Sequence, residues 1–150
     1  MRDQLLEMLK RHEGLNLFPY HCSAGALTIG YGHNIDAHPL PGASVQHLVN
    51  YGISKVGAHR LLELDVDAVL TQLAQVTEWQ ALNEVRQAVI ADMCFNLGFA
   101  GAMKFERMWD AIERQLWTLA AKEMMDSQWA RQVGARAIRL STMMTTGRWP

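Results

Sequence analysis

The stretch Glu13-Gly14-Leu15-Asn16-Leu17-Phe18-Pro19-Tyr20-His21-Cys22-Ser23-Ala24-Gly25-Ala26-Leu27-Thr28-Ile29-Gly30-Tyr31-Gly32-His33 decides how this 150-residue chain is read. Before it, Leu5, Leu6, Met8 and Leu9 recur at three- and four-residue intervals. That stripe predicts a helix whose last turn carries Glu13 and which Gly14 can close as a left-handed cap. After it, Leu17, Tyr20, Leu27, Ile29 and Tyr31 fall in short runs around Ser23-Ala24-Gly25, which predicts a β-hairpin. The spacing Glu13-x8-Cys22-x5-Thr28 then sets a carboxyl at a helix end against polar groups on a ribbon. That is the layout of an active site.

Downstream, Asp36-Ala37-His38-Pro39-Leu40-Pro41-Gly42 holds two prolines and a glycine, which forbid a helix and predict a loop. Ser54 is a suitable N-cap for a long helix over 54–76, with Val56, Leu62, Val66, Val69, Leu70, Leu73 and Val76 as its apolar face. At about 22 residues it would span roughly 33 Å, enough to link two lobes with a cleft. Further helices are expected from Asn83 to Leu97, ended by Gly98, and over Lys104–Ile112, Leu116–Met125 and Ala135–Met144. In the first of these, Val85, Val89, Ile90, Met93, Cys94 and Leu97 cover more than one face, so it should be buried centrally. The nine methionines and five tryptophans read as core and packing residues.

The pattern resembles the phage-type lysozymes, glycoside hydrolase family 24, in which a helix-ending Glu-Gly is followed at the same spacings by an Asp and a Thr before Ile-Gly-x-Gly-His. One position departs from that pattern, since Cys22 occupies the Asp site. The resemblance continues through Leu64-Asp65-Val66-Asp67-Ala68, Val85-Arg86 and Phe95-Asn96-Leu97-Gly98. It closes with Trp129, Arg136, Arg139 and Thr146-Gly147-Arg148-Trp149, and so covers nearly the whole chain. It implies a lysozyme-like α+β fold of two lobes in a single domain. The β-containing lobe would occupy residues 14–53, the connecting helix 54–76, and the helical lobe 77–150 together with the N-terminal helix 1–13.

The resemblance also implies a muramidase that cuts the bond between N-acetylmuramic acid and N-acetylglucosamine in bacterial peptidoglycan, as a phage or prophage endolysin. Glycosidic hydrolysis needs a proton delivered to the leaving oxygen, and Glu13 is the expected acid. The negative end of the helix dipole and burial raise the pKa of such a group, whereas Arg136, if it contacts Glu13 as the resemblance implies, lowers it. Cys22 takes the place of the carboxylate that helps activate water on the opposite face of the sugar. A thiol with an unperturbed pKa of about 8.5 is a poorer base, though His21 or a basic cleft could lower that value. Three roles remain open for Cys22: a base, a nucleophile that switches the outcome from inversion to retention, or a small filler beside Glu13 and Thr28. By the same resemblance, Thr28 binds the attacking water, and Gly32, Asn34, Phe95 and Asn96 contact substrate. His33 pairs with Asp65, one turn or so into the long helix. His12 stands where an acid is common and Asp92 where a neutral amide is, so Asp92 could pair with His12 or Arg139 if their helices touch.

A chain of this length can bury roughly 68–70% of its unfolded surface without disulfides. Cys22 and Cys94 lie far apart, one in the hairpin and one in an apolar helix, which points to free thiols and a reducing compartment. The N-terminus carries no apolar signal segment, and no run of about 18 apolar residues is available to span a membrane. The expected course is residence in the host cytoplasm until a separate pore-forming protein gives access to the periplasm, with carriage on a virion as the other route. Net charge is −1, divided as −4 over residues 1–103 and +3 over 104–150, where Arg131, Arg136, Arg139 and Arg148 form a basic segment. The near-neutral total argues against nucleic acid as a partner and suits an anionic wall polymer. A monomer without stable membrane association is expected.

Two rival readings follow from Cys22. A Cys-His peptidase or amidase acting on wall peptides would need a histidine and an orienting group around the thiol, but such nucleophiles favour a helix N-terminus rather than a hairpin tip. A wall-binding module disabled by loss of the Asp would bind without hydrolysis. His38, His47 and His59 lack the spacing of a zinc site, so neither a metal nor another cofactor is assigned.

Overall fold

A computed structural model describes all 150 residues, which form ten helices and one three-stranded sheet, a mixed α+β architecture. Helix α1 spans Arg2–Glu13. Its stripe of Leu5, Leu6, Met8 and Leu9 is buried. Gly14, at φ +70°, ends the helix by donating its N–H to the Lys10 carbonyl at 3.0 Å. Strands β1 (Asn16–His21), β2 (Leu27–Gly30) and β3 (His33–Asn34) run antiparallel in that order, with Tyr20 opposite Thr28 and Thr28 opposite Asn34. The β1–β2 pairing is irregular between Asn16 and Tyr20, where Pro19 can donate no ladder hydrogen bond. The expected hairpin is therefore present and is extended by a third, two-residue strand.

Chain contacts divide the molecule into two compact units, Leu6–Asp67 and Met1–Leu5 with Ala68–Pro150. In the first, Ile29, Ile35 and Leu48 form a buried core, packed against Leu27, Leu40, Ala43, Ile53 and Leu61. Leu48 comes from α2 (Val45–Tyr51), a helix not foreseen in the sequence and capped by the Ser44 hydroxyl, which accepts from His47 N–H at 3.1 Å. Ser54 caps α3 (Lys55–Leu73) by accepting from Gly57 N–H at 2.9 Å. This helix has 19 residues and is about 28 Å long, shorter than expected because it stops at Leu73. Ala58, Leu62, Val66 and Leu73 are its buried residues, whereas Val56 is 80% exposed and leaves the predicted apolar face. The boundary between the units, at Asp67/Ala68, falls inside this helix, and that at Leu5/Leu6 inside α1.

The second unit contains α4 (Thr77–Gln80), α5 (Glu84–Leu97), α6 (Phe99–Met103), α7 (Glu106–Glu113), α8 (Trp117–Met125), α9 (Gln128–Val133) and α10 (Ala135–Thr146). The four expected helices correspond to α5, α7, α8 and α10, and the short α4, α6 and α9 are additional. Every residue from Ala88 to Cys94 on α5 is buried, and α4, α6 and α10 pack on it. Arg86 fixes the end of α10: Nε donates to the Met144 carbonyl at 2.8 Å, Nη2 to that of Thr145 at 3.2 Å, and the guanidinium stacks 3.9 Å over Trp117. This gives the Val85-Arg86 and Thr146-Gly147 segments a common structural purpose. No helix is long and apolar enough to cross a membrane.

Candidate active site

Glu13 is the last residue of α1, and the β2–β3 turn brings Gly32 directly against it. A Cβ built on Gly32 would stand 2.7 Å from Glu13 Oε2 and 2.9 Å from its carboxyl carbon. Gly32 also has φ +73°, a left-handed conformation that glycine adopts without steric cost. The backbone here therefore serves as a wall for the carboxyl.

Cys22 follows β1 and opens the turn into β2. Its N–H donates to the Ala26 carbonyl at 3.0 Å, and its carbonyl accepts from Gly25 N–H at 2.8 Å. Burial pushes the thiol pKa up, but hydrogen bonds from the Ala24 and Ala26 backbone and from the Thr28 side chain outweigh it, so the net displacement is downward. The turn thus acts as a small nest for a thiolate. His21, expected to help lower this pKa, turns instead toward the Gly25 carbonyl at 3.2 Å. Successive strand residues point to opposite faces, which separates His21 from Cys22.

Thr28 is buried, and its hydroxyl donates to the Ala26 carbonyl at 2.9 Å. The same hydroxyl contacts the Cys22 sulfur, so its single proton serves two neighbours. With a thiol present, the proton rests on Ala26 and the S–H can donate to the hydroxyl oxygen. With a thiolate, rotation delivers the proton to sulfur. Glu13, Cys22 and Thr28 all lie in the sheet-containing unit, as do Gly32 and Asn34. Asn34 Oδ1 accepts from Ala37 N–H at 3.0 Å, which holds the start of the following loop.

His33 is buried with both ring nitrogens facing acceptors: Nδ1 lies 2.8 Å from Asp65 Oδ2 and Nε2 2.8 Å from the His38 carbonyl. Burial alone would lower its pKa, yet the Asp65 carboxylate and the carbonyl together raise it. An imidazolium satisfies both acceptors at once, which a neutral ring cannot do. Asp65 stands about three turns into α3 rather than one, ten residues after its first residue Lys55.

In the helical unit, Phe95 and Asn96 lie in the last turn of α5. Asn96 Oδ1 accepts from Trp129 Nε1 at 2.8 Å, and Phe105 meets the Trp129 ring edge-on at 6.2 Å. This fixes the amide and leaves its NH2 group to act as a donor. Arg136 is 7% exposed, with Nε donating to the fully buried Asp92 at 2.8 Å. It therefore leaves the basic surface to which charge counting assigned it, and it is a partner of Asp92 that the sequence did not name. A surface hollow of about 380 Å³ in this unit, lined by Lys104, Phe105, Glu106, Arg107, Glu123 and Asp126 among others, holds none of the candidate residues.

The sequence reading placed Tyr20 only among the apolar residues of the hairpin. It stands opposite Thr28 and two residues before Cys22, so strand alternation places all three side chains on one face of the ribbon. That alternation was readable from the hairpin pattern.

The family model described as phage lysozyme matches residues 10–144. The chain is 32% identical over 159 residues to the pre-baseplate central spike protein of Enterobacteria phage T4, covering 95% of this chain but 28% of that protein. It is 28% identical to probable T4-type lysozyme 2 of Dictyostelium discoideum, with 98% of this chain and 96% of that one covered. An endolysin of Acyrthosiphon pisum secondary endosymbiont phage 1 is 33% identical over 62% of this chain and 56% of its own length.

Proposed function

The chain belongs to the phage lysozyme family, and from that premise we propose that it is a muramidase, hydrolysing the β-1,4 bond between N-acetylmuramic acid and N-acetylglucosamine in peptidoglycan. The observation that carries the reading is the joint placement of Glu13, seated against Gly32, and of Cys22 beside Thr28 within one small unit. The protonated Glu13 carboxyl gives its proton to the glycosidic oxygen as the C1–O bond breaks. Water attacks C1 and loses a proton to the Cys22 thiolate, while the Thr28 hydroxyl stabilises that thiolate or orients the water. The products are a new N-acetylmuramic acid reducing end and a free N-acetylglucosamine hydroxyl. Phe95 and Asn96 are assigned to binding the sugar chain, the Asn96 amide having its orientation set by Trp129.

The lowered thiol pKa favours this base role over an inert filler, because a larger thiolate fraction is then available near neutral pH. Likeness to an endolysin supports action on the host wall from inside, after a separate protein opens the membrane. Likeness to a spike protein supports carriage on a virion as the second route. The test is Glu13→Gln, assayed by lysis of outer-membrane-permeabilised cells. A loss of about 10²-fold or more with an unchanged fold is expected, since an amide has no acidic proton to give. Activity within threefold of the parent would overturn the assignment.

A further inference from the structure

Tyr20 lies on the same face of the hairpin as two groups used in the proposed reaction. Its Cα partner across the ladder is Thr28, and Cys22 follows two residues later, where the Cys22 N–H to Ala26 carbonyl bond continues the strand pairing. The ring is half-buried. Its hydroxyl enters no hydrogen bond with the protein, although it lies within electrostatic reach of both Glu13 and Cys22.

We propose that Tyr20 is a positioning residue of this site: its hydroxyl donates a hydrogen bond on the Cys22 side, holding the thiolate and the water that the thiolate activates. The inference rests on the muramidase reading for its catalytic consequence and on the hairpin geometry for its placement. Burial first, and then the nearby Glu13 and Cys22 groups, push the phenol pKa up, so it stays a donor after the thiol has ionised. Thr28 alone cannot fill this role completely, because its one proton is shared with the Ala26 carbonyl. A second donor that stays protonated removes that competition.

Tyr20→Phe deletes only the hydroxyl and keeps the ring's packing. Two readouts are used together. With purified peptidoglycan, kcat should fall about tenfold with KM within twofold of the parent, the size expected for one hydrogen bond made in the transition state. In the absence of substrate, the rate of iodoacetamide reaction at Cys22 at neutral pH should fall about threefold, because the thiolate loses a donor. A structural role would lower thermal stability without moving the alkylation rate. An unchanged alkylation rate, or a change confined to KM, would overturn the proposal. Should the parent protein release no muramic acid ends, the muramidase reading fails, and the alkylation rate still decides whether Tyr20 acts on Cys22.

Discussion

The Glu13 carboxyl and Gly32 approach so closely that no side chain other than hydrogen fits between them: a Cβ would lie 2.7 Å from Oε2. Gly32→Ala must therefore displace the carboxyl and also force an alanine to φ +73°. The conformation costs about 1–2 kcal/mol, and a misplaced acid of about 1 Å can cost on the order of 10²-fold in rate. The expected result is a modest fall in melting temperature with a more than tenfold fall in kcat. Full activity in a stable Gly32→Ala protein would show that Glu13 does not need its observed position.

His33 and Asp65 give a stability prediction with a definite sign. The folded pKa of His33 is raised, because the gain from Asp65 and the His38 carbonyl exceeds the cost of burial. Its contribution is thus fully present below the unfolded value of about 6.5 and is lost as pH rises through the folded value. His33→Asn should lower the melting temperature most at mildly acidic pH and least above the folded pKa, with kcat largely retained. A destabilisation that is the same at all pH values would contradict the pair.

The local placement of the candidate residues was legible because its signals are local. Gly14 after a Leu stripe marks the helix end that carries Glu13, and Ser23-Ala24-Gly25 between apolar runs marks the turn that carries Cys22. The third strand was not legible, since two residues after Tyr31-Gly32 carry too little pattern to be told from a loop. Helix α2 was hidden in the same way: its seven residues follow a Pro-Gly loop and bury only Leu48. The end of α3 was set three residues too late because Val76 prolongs the apolar spacing while neither Gly nor Pro stops it. Arg136 was read as surface charge because sequence gives the sign of a residue and not its burial. Only the fold shows Asp92 opposite it.

That pair supplies a further prediction. Asp92 is fully buried and Arg136 nearly so, joined at 2.8 Å. Replacing Asp92 by Leu leaves a guanidinium without this partner and should cost about 3–5 kcal/mol, measured by urea unfolding. Asp92→Leu with Arg136→Met should recover most of the loss, as both charges then leave the core together. Equal destabilisation in the single and double variants would show that the pair is not coupled.

Substitutions and alkylation separate the roles proposed for Cys22. Cys22→Asp should keep or raise activity near neutral pH, as a carboxylate is fully ionised there. Cys22→Ser should fall well below both, since a hydroxyl has almost no anionic form. Alkylation should proceed readily at Cys22 and slowly at Cys94, which is 2% exposed and has a thiol pushed up to about 12 by burial. Equal activity of Cys22→Ser and the parent between about pH 5 and 9 would make Cys22 a filler and leave Glu13 and Thr28 to carry the reaction.

The most direct measurement is the identity of the new end released from purified peptidoglycan, determined by borohydride reduction of the soluble products followed by mass spectrometry. The account predicts reduced N-acetylmuramic acid from the parent protein and none from Glu13→Gln. New free amino groups without new reducing ends would instead identify a peptidase or amidase. Binding to the wall with neither product would identify a module that no longer hydrolyses it.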